Sequence, residues 1–335
     1  MNALRRFLRP LVSAAALIAA ALAAVPSAAQ PSAAQAAQPA KAEPVRYVLT
    51  DGPLSLHVVD LSPQFLAFYA AAKDEPDADK RFKLWQDMYG FAAVPPGPRG
   101  QAMARQILDA GWSQYPQALP IFRAGARAFQ PAPMETAKKI AAVLQPDGPV
   151  RIKWLAYAGG FDMNAFTTTS EGMPMIAVPL EIVTAGDLGQ MIVAHELTHA
   201  FHIAVGGMTG GWERSIGATV LQEGLAQHVS REVLPGRPDT YYTERTPGWL
   251  AANHAKRVAI LNGVKPVLAT SDGETVFRFT IGQGATGSER EAYYVGWIVV
   301  QHLRDQGMTL AQIARIPEAD SPRVVARAIE EMLAG

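Results

Sequence analysis

The sequence predicts an α+β fold, mostly helical, with a small sheet near the middle of the chain. Helical periodicity dominates from Ser62 to about Leu144 and again from Thr184 to Leu333. Between these stretches, "VRIKWLAYAGG" (Val150 to Gly160) and "MPMIAVPLEI" (Met173 to Ile182) are short runs of strand-forming residues. A few strands followed by long helices, rather than strict alternation, argue against a wound parallel sheet.

Taken in order, Met1 to Ala29 reads as a signal peptide. Arg5, Arg6 and Arg9 precede the apolar run "LVSAAALIAAALAAV", and "PSAAQ" supplies small residues for cleavage after Ala29. The apolar run is shorter than the ~20 residues of a spanning helix. A cleaved, periplasmic or secreted protein with no stable membrane insertion is therefore expected. Residues 30–43, rich in Ala, Pro and Gln, read as a disordered leader. The folded chain then divides into a mainly helical N-terminal region, 44–148, and a second region, 149–335.

Val45 to Val59, with a turn signal at Asp51-Gly52, suggests a hairpin. In the helical stretch that follows, "AMARQILDAGW" and "METAKKIAAVL" repeat apolar residues every three or four positions. Pro174 and Pro179 cannot donate to a ladder, which puts the strand of Met173 to Ile182 near a sheet edge. "FDMNAFTTTSEG", between the two strands, reads as a loop or hairpin.

The full chain has 30 basic and 30 acidic residues. Loss of the first 29 residues leaves 27 basic against 30 acidic, a net charge of −3. Nothing in that balance favours nucleic acid or an anionic membrane as a partner. There is no cysteine, so disulfides and cysteine–zinc sites are excluded, and any metal must be held by His and carboxylate.

The segment "MIVAHELTHAFHIAVGG" (Met191 to Gly207) places ionisable groups on an apolar helix, where each is costly unless paired or bound to a metal. Thr184 with Asp187 resembles a capping box and Gly206-Gly207 a stop, so the helix is expected over Ala185 to Val205. At 100° per residue His195 and His199 lie one turn apart on one face, while Val193, Leu197, Phe201 and Ala204 form the core-facing stripe. This is the HExxH pattern, in which two imidazoles hold zinc and the intervening carboxylate, Glu196, takes a proton from an activated water. His202 shares the face but lies ~10.5 Å along the axis from His195, too far to join a site with ~2 Å bonds, and reads as a neighbour.

A catalytic zinc needs a third protein ligand and one open position. "WERSIGATVLQEGLAQHVSREVLPG" (Trp212 to Gly236) reads as a second helix, with Ile216, Val220, Glu223 and Gln227 on one face. Glu223 is the first candidate, and Gly224 beside it allows close helix approach. Glu213, at the helix start, and His228, five residues further on, are the alternatives.

"HELTH" followed by a helix bearing "EGLAQ" resembles the gluzincin-type HExxH zinc metallopeptidases, whose third ligand is Glu in such a motif. "EAYYVGWIVVQHL" (Glu291 to Leu303) resembles the aromatic–Gly helix of a family of bacterial zinc-dependent proteases that share HExxH and EGLA. The resemblance covers about Val150 to Leu303; the helical region before it matches nothing nameable. Twenty-three residues separate His199 from Glu223, more than in thermolysin-like enzymes, so substrate details are not carried across.

The resemblance implies a zincin-like catalytic domain over 149–335. One Zn2+ per chain would be held by His195, His199 and Glu223, with Glu196 as general base acting on a peptide or protein substrate. It also implies an oxyanion stabiliser, for which Tyr293 is the candidate, with Tyr294 and then Tyr241-Tyr242 behind it. An edge strand pairing with extended substrate is expected, and "MIAVPLE" fits by order in the chain. Trp212, Trp249 and Trp297 read as packing residues. The competing readings are a zinc-dependent amidase acting on another substrate, such as a cell-wall crosslink, and a non-catalytic zinc-binding relative. Intact Glu196 counts against the latter.

Overall fold

The computed structural model describes residues 41–335 apart from Pro96, Gly207, Trp212 and Glu213. The expected signal peptide, nearly all of the expected leader, Trp212 and the alternative ligand candidate Glu213 therefore lie outside the described residues.

The chain opens with the expected hairpin, β1 (Val45–Asp51) and β2 (Leu54–Asp60), in register from Val45↔Asp60 to Asp51↔Leu54. Its two-residue loop is Gly52-Pro53. Gly52 has a φ of 55°, the positive value that a primed hairpin turn needs at its first position. Helices α1 (Ser62–Ala72), α2 (Ala78–Met88), α3 (Pro98–Gly111), α4 (Tyr115–Ala124) and α5 (Pro133–Leu144) follow. Proline stands in the first turn of α1, α3, α4 and α5, where its missing N–H costs nothing. Phe65 lies among Phe68, Tyr89, Tyr115 and Phe122, with ring centroids 4.9–5.7 Å away.

These helices form a crossover, because β3 (Val150–Tyr157) returns parallel to β2. β4 (Phe166–Ser170) and β5 (Met173–Pro179) complete a mixed sheet of order β1-β2-β3-β5-β4. The sheet thus crosses position 148/149, with β1 and β2 contributed from before it. Leu54, Leu56, Val58, Ile152, Trp154 and Ile176 face the main core, while Val59, Leu155, Tyr157 and Ala177 turn to the opposite face, as the two-residue pleat requires.

The segment "MIAVPLE" does not lie at the sheet edge. β5 pairs parallel with β3 on one side and antiparallel with β4 on the other. Its prolines occupy the second and last residues of the strand, where lost donors spare the central rungs. The edge is β4, formed by the "FTTTS" part of the segment read as loop or hairpin.

Past β5, a 3-10 turn over Leu180–Ala185 leads into α6 (Asp187–Gly206), two residues later than expected. Thr184 does not cap this helix: its hydroxyl donates back to the Glu181 carbonyl at 2.7 Å, closing the 3-10 turn instead. Glu181 is buried and accepts from the backbone N–H groups of Gly159 and Phe161, both at 3.0 Å, tying the end of β3 to the start of α6. Val193, Leu197 and Phe201 are buried as expected, but Ala204 is exposed and Ala200 takes its place in the stripe.

The rest of the chain is helical: α7 (Ile216–Val233), α8 (Asp239–Thr243), α9 (Trp249–Ala255), α10 (Arg257–Val264), α11 (Gly273–Thr280), α12 (Glu291–Asp305), α13 (Leu310–Ile313) and α14 (Ser321–Ala334). α7 begins later than Trp212 because Ser215 caps it, accepting from the Ala218 N–H at 3.1 Å. The fold is α+β and mostly helical, with the HELTH helix α6 packed on β4, β5 and α7. No described helix is long and apolar enough to cross a membrane.

Candidate metal centre

α6 and α7 bring three side chains together. His195 Nε2 lies 3.1 Å from Glu223 Oε2 and 3.0 Å from His199 Nε2, and His199 Nε2 lies 3.5 Å from Glu223 Oε2. The two imidazole planes stand at 89°. A tetrahedral ion with bonds of ~2.0–2.1 Å holds its ligand atoms ~3.3–3.4 Å apart, so this triangle matches one face of such a tetrahedron. The two ring nitrogens lie close enough either to share one proton or to bind the same cation. Two imidazoles and one carboxylate are also the donor set that suits zinc.

Without a metal, a proton takes the cation's part. Burial pulls the His199 imidazole down, but the Glu223 carboxylate outweighs it and leaves the ring more basic than usual. Burial pushes Glu223 up, yet the facing imidazoles hold it well below the usual carboxylate range.

Glu196 also has a carboxylate oxygen within 4.8 Å of the histidine nitrogens, but it is engaged differently. The Thr167 hydroxyl, on edge strand β4, lies 2.7 Å from Glu196 Oε2 and 3.0 Å from the Glu196 carbonyl, either of which can accept its proton. The loop after α6 closes over the same strand. A Cβ on Gly210 would lie 2.6 Å from the Thr169 nitrogen.

Residues 171–320 match the family described as "Predicted Zn-dependent protease" (DUF2268). The matched zinc-protease segment contains α6 and α7 and the whole of α12, in accord with the resemblance carried by HELTH, EGLAQ and the aromatic–Gly helix. No curated protein and no solved structure gives a significant match to the chain.

α12 stacks against α7 within this segment. A Cβ on Gly224 would lie 2.1 Å from the Gly296 carbonyl oxygen, and one on Gly296 would lie 2.5 Å from the Val220 carbonyl oxygen. This crossing brings Tyr293, three residues before Gly296, into the field of Glu223. Burial first, and then Glu223, push the Tyr293 phenol up to about 12, against the opposing pull of Arg290 and Arg245. The Arg290 guanidinium sits 3.7 Å above the Tyr293 ring centre.

The other aromatic candidates are occupied elsewhere. Tyr294 hydroxyl lies 3.2 Å from His254 Nδ1. Tyr241 donates to the Asp187 carbonyl and Tyr242 to the Leu234 carbonyl. Trp249 Nε1 donates to the Glu289 carbonyl at 2.8 Å.

His202 is fully buried with no partner for either ring nitrogen among the described residues, and burial pulls its pKa down to about 3. It does not join the triangle. His228 stacks on Trp297 at 4.2 Å; its Nε2 lies 2.9 Å from the Trp297 carbonyl and its Nδ1 lies 3.1 Å from Arg231 Nη2, so it is held in the core rather than at the site. Thr167 and Arg290 went unnoticed in the sequence. The run of β-branched threonines in "FTTTS" is a usable strand signal; for Arg290 there is none.

Proposed function

We propose that the chain is an exported zinc-dependent metallopeptidase that hydrolyses peptide bonds, with one zinc per chain held by His195, His199 and Glu223. The observation carrying this reading is the set of 3.0, 3.1 and 3.5 Å separations among those three ligand atoms, with a second carboxylate beside them. The zinc-protease family match over 171–320 supports the reaction class. Export rests on the signal-like composition of Met1 to Ala29.

Bound zinc would supply Lewis acidity towards a carbonyl and a water molecule. Glu196 then acts as general base: it takes the proton as water oxygen adds to the carbonyl carbon, and delivers it to the amine nitrogen as the C–N bond breaks. Thr167 fixes the orientation of the Glu196 carboxylate. Tyr293, whose phenol is protonated at neutral pH, donates a hydrogen bond to the developing oxyanion. Edge strand β4, rather than "MIAVPLE", is the strand that pairs with extended substrate beside the site.

The test is zinc content and peptide cleavage of the chain from Gln30 onward. The expected result is about one zinc per chain and cleavage that Glu196→Gln abolishes while keeping the metal. A protein that takes up no zinc when it is offered overturns the reading.

A further inference from the structure

Arg290 is held in place by a dedicated loop. The buried Glu291 carboxylate accepts from Ala285 N–H, Thr286 N–H (both 2.8 Å) and Thr286 hydroxyl (2.6 Å). Gln283 bridges to Glu289, closing the loop around it. Arg290 follows with a φ of 58°, a left-handed conformation that an arginine adopts only at some cost. Its guanidinium is thereby laid over Tyr293, 3.7 Å from the ring centre. It is partly buried, and Arg245, itself exposed, is close enough to oppose its charge.

The two like charges oppose each other, and among the described residues the carboxylates of Glu291 and Glu244 are engaged elsewhere. Glu291 is spent on its loop. Glu244 accepts from Gly248 N–H at 3.1 Å and Leu250 N–H at 2.8 Å. The carboxylate whose field reaches Arg290 is Glu223, and a bound cation would consume that charge. Arg214 also feels Glu223, but its guanidinium donates to the Gly211 carbonyl at 2.9 Å and faces Glu318.

We propose that Arg290 and Arg245 form a carboxylate-binding subsite beside the metal centre, so that the preferred substrates are peptides carrying a carboxylate next to the scissile bond. This deepens the metallopeptidase reading and rests on it. A strained, partly desolvated guanidinium with no ion pair among the described residues, fixed over the Tyr293 ring, suits recognition of a planar anion. That carboxylate could be the peptide C-terminus or an Asp or Glu side chain.

The test uses three pools of synthetic peptides with matched sequences: one with free C-termini and acidic residues, one amidated at the C-terminus and lacking acids, and one with a single carboxylate of either kind. Immobilised, zinc-loaded Glu196→Gln protein is used to measure retention without turnover, and wild type to measure cleavage, both read by mass spectrometry. The expected result is at least tenfold greater retention of carboxylate-bearing peptides, with the third pool telling terminal from side-chain carboxylate. Arg290→Gln and Arg245→Gln should lose that preference at unchanged zinc content, raising KM more than they lower kcat.

Equal retention of the charged and amidated pools overturns the subsite even if peptides are cleaved, leaving the peptidase reading intact. Carboxylate-dependent retention with no cleavage by wild type supports the subsite and counts against the peptidase reading. Retention that depends on carboxylate but is unchanged in both arginine variants also overturns the assignment.

Discussion

Gly224 and Gly296 meet backbone to backbone where α7 crosses α12, so closely that a Cβ on Gly224 would lie 2.1 Å from the Gly296 carbonyl oxygen. The crossing places Glu223, adjacent to one glycine, in the field of Tyr293, one turn from the other. The Glu223 carboxylate and the Tyr293 phenol are thus positioned by the lack of a side chain at two points. Gly224→Ala should overpack this contact and cost ~1–3 kcal/mol, seen as a lower melting temperature in a thermal scan. An unchanged melting temperature would mean that the helices separate freely there.

Metal removal should destabilise the protein. Chelation leaves two imidazoles and a half-buried carboxylate to compensate one another with a proton alone, and a ligand bound to the native state adds to its stability by mass action. A chelator should therefore lower the melting temperature of the zinc-loaded wild type, whereas Glu223→Ala and His195→Ala should melt at temperatures insensitive to chelator. The comparison is a calorimetric scan with and without dipicolinate.

Thr167 should act through Glu196 and not through the metal. A hydrogen bond to a charged group is worth ~1.5–3 kcal/mol, so Thr167→Val should lower kcat about tenfold or more at unchanged zinc content, and Thr167→Ser should restore it. Loss of zinc in Thr167→Val would instead assign the hydroxyl a structural part.

His228 gives a pH signature. Burial, ahead of Arg231 and Arg304 and against the Trp297 carbonyl, pulls its pKa down to about 3, below the ordinary value of 6.5. The unfolded chain therefore binds a proton that the folded chain refuses between those values. The stability contribution of neutral His228 is complete above pH 6.5 and falls as pH drops, by up to ~1.4 kcal/mol per unit. His228→Gln keeps a donor for Trp297 and an acceptor for Arg231. Its stability deficit relative to wild type, measured by urea unfolding, should shrink from pH 7 to pH 5; a constant deficit would show that His228 is not held neutral.

Much of this arrangement was legible in the sequence where local rules act alone. The hairpin at Asp51-Gly52, β3, the 3.6-residue stripes and the HELTH helix follow from periodicity and turn chemistry, and Gly224 announced a close helix contact. What was not legible depends on partners distant in sequence. The prolines of β5 suggested an edge, but strand order is set by the crossover through α1–α5 and by the β4–β5 hairpin, which encloses β5. Thr184 had the spacing of a cap, yet the 3-10 turn before α6 claimed its hydroxyl. Arg290 lies near Tyr293 in sequence, but its orientation depends on the loop wound around Glu291.

The order of the sheet bears on how the chain can be cut. The zinc-protease match begins at Glu171, in the turn between β4 and β5. A fragment trimmed to 171–320 would retain every proposed metal ligand while stripping both neighbouring strands from β5, removing Thr167 from Glu196, and orphaning Glu181 from Gly159 and Phe161. It would be a recognisable stretch of sequence but not an autonomous folding unit. In this chain the strands that flank β5, and the hydroxyl that holds Glu196, all come from outside the matched segment.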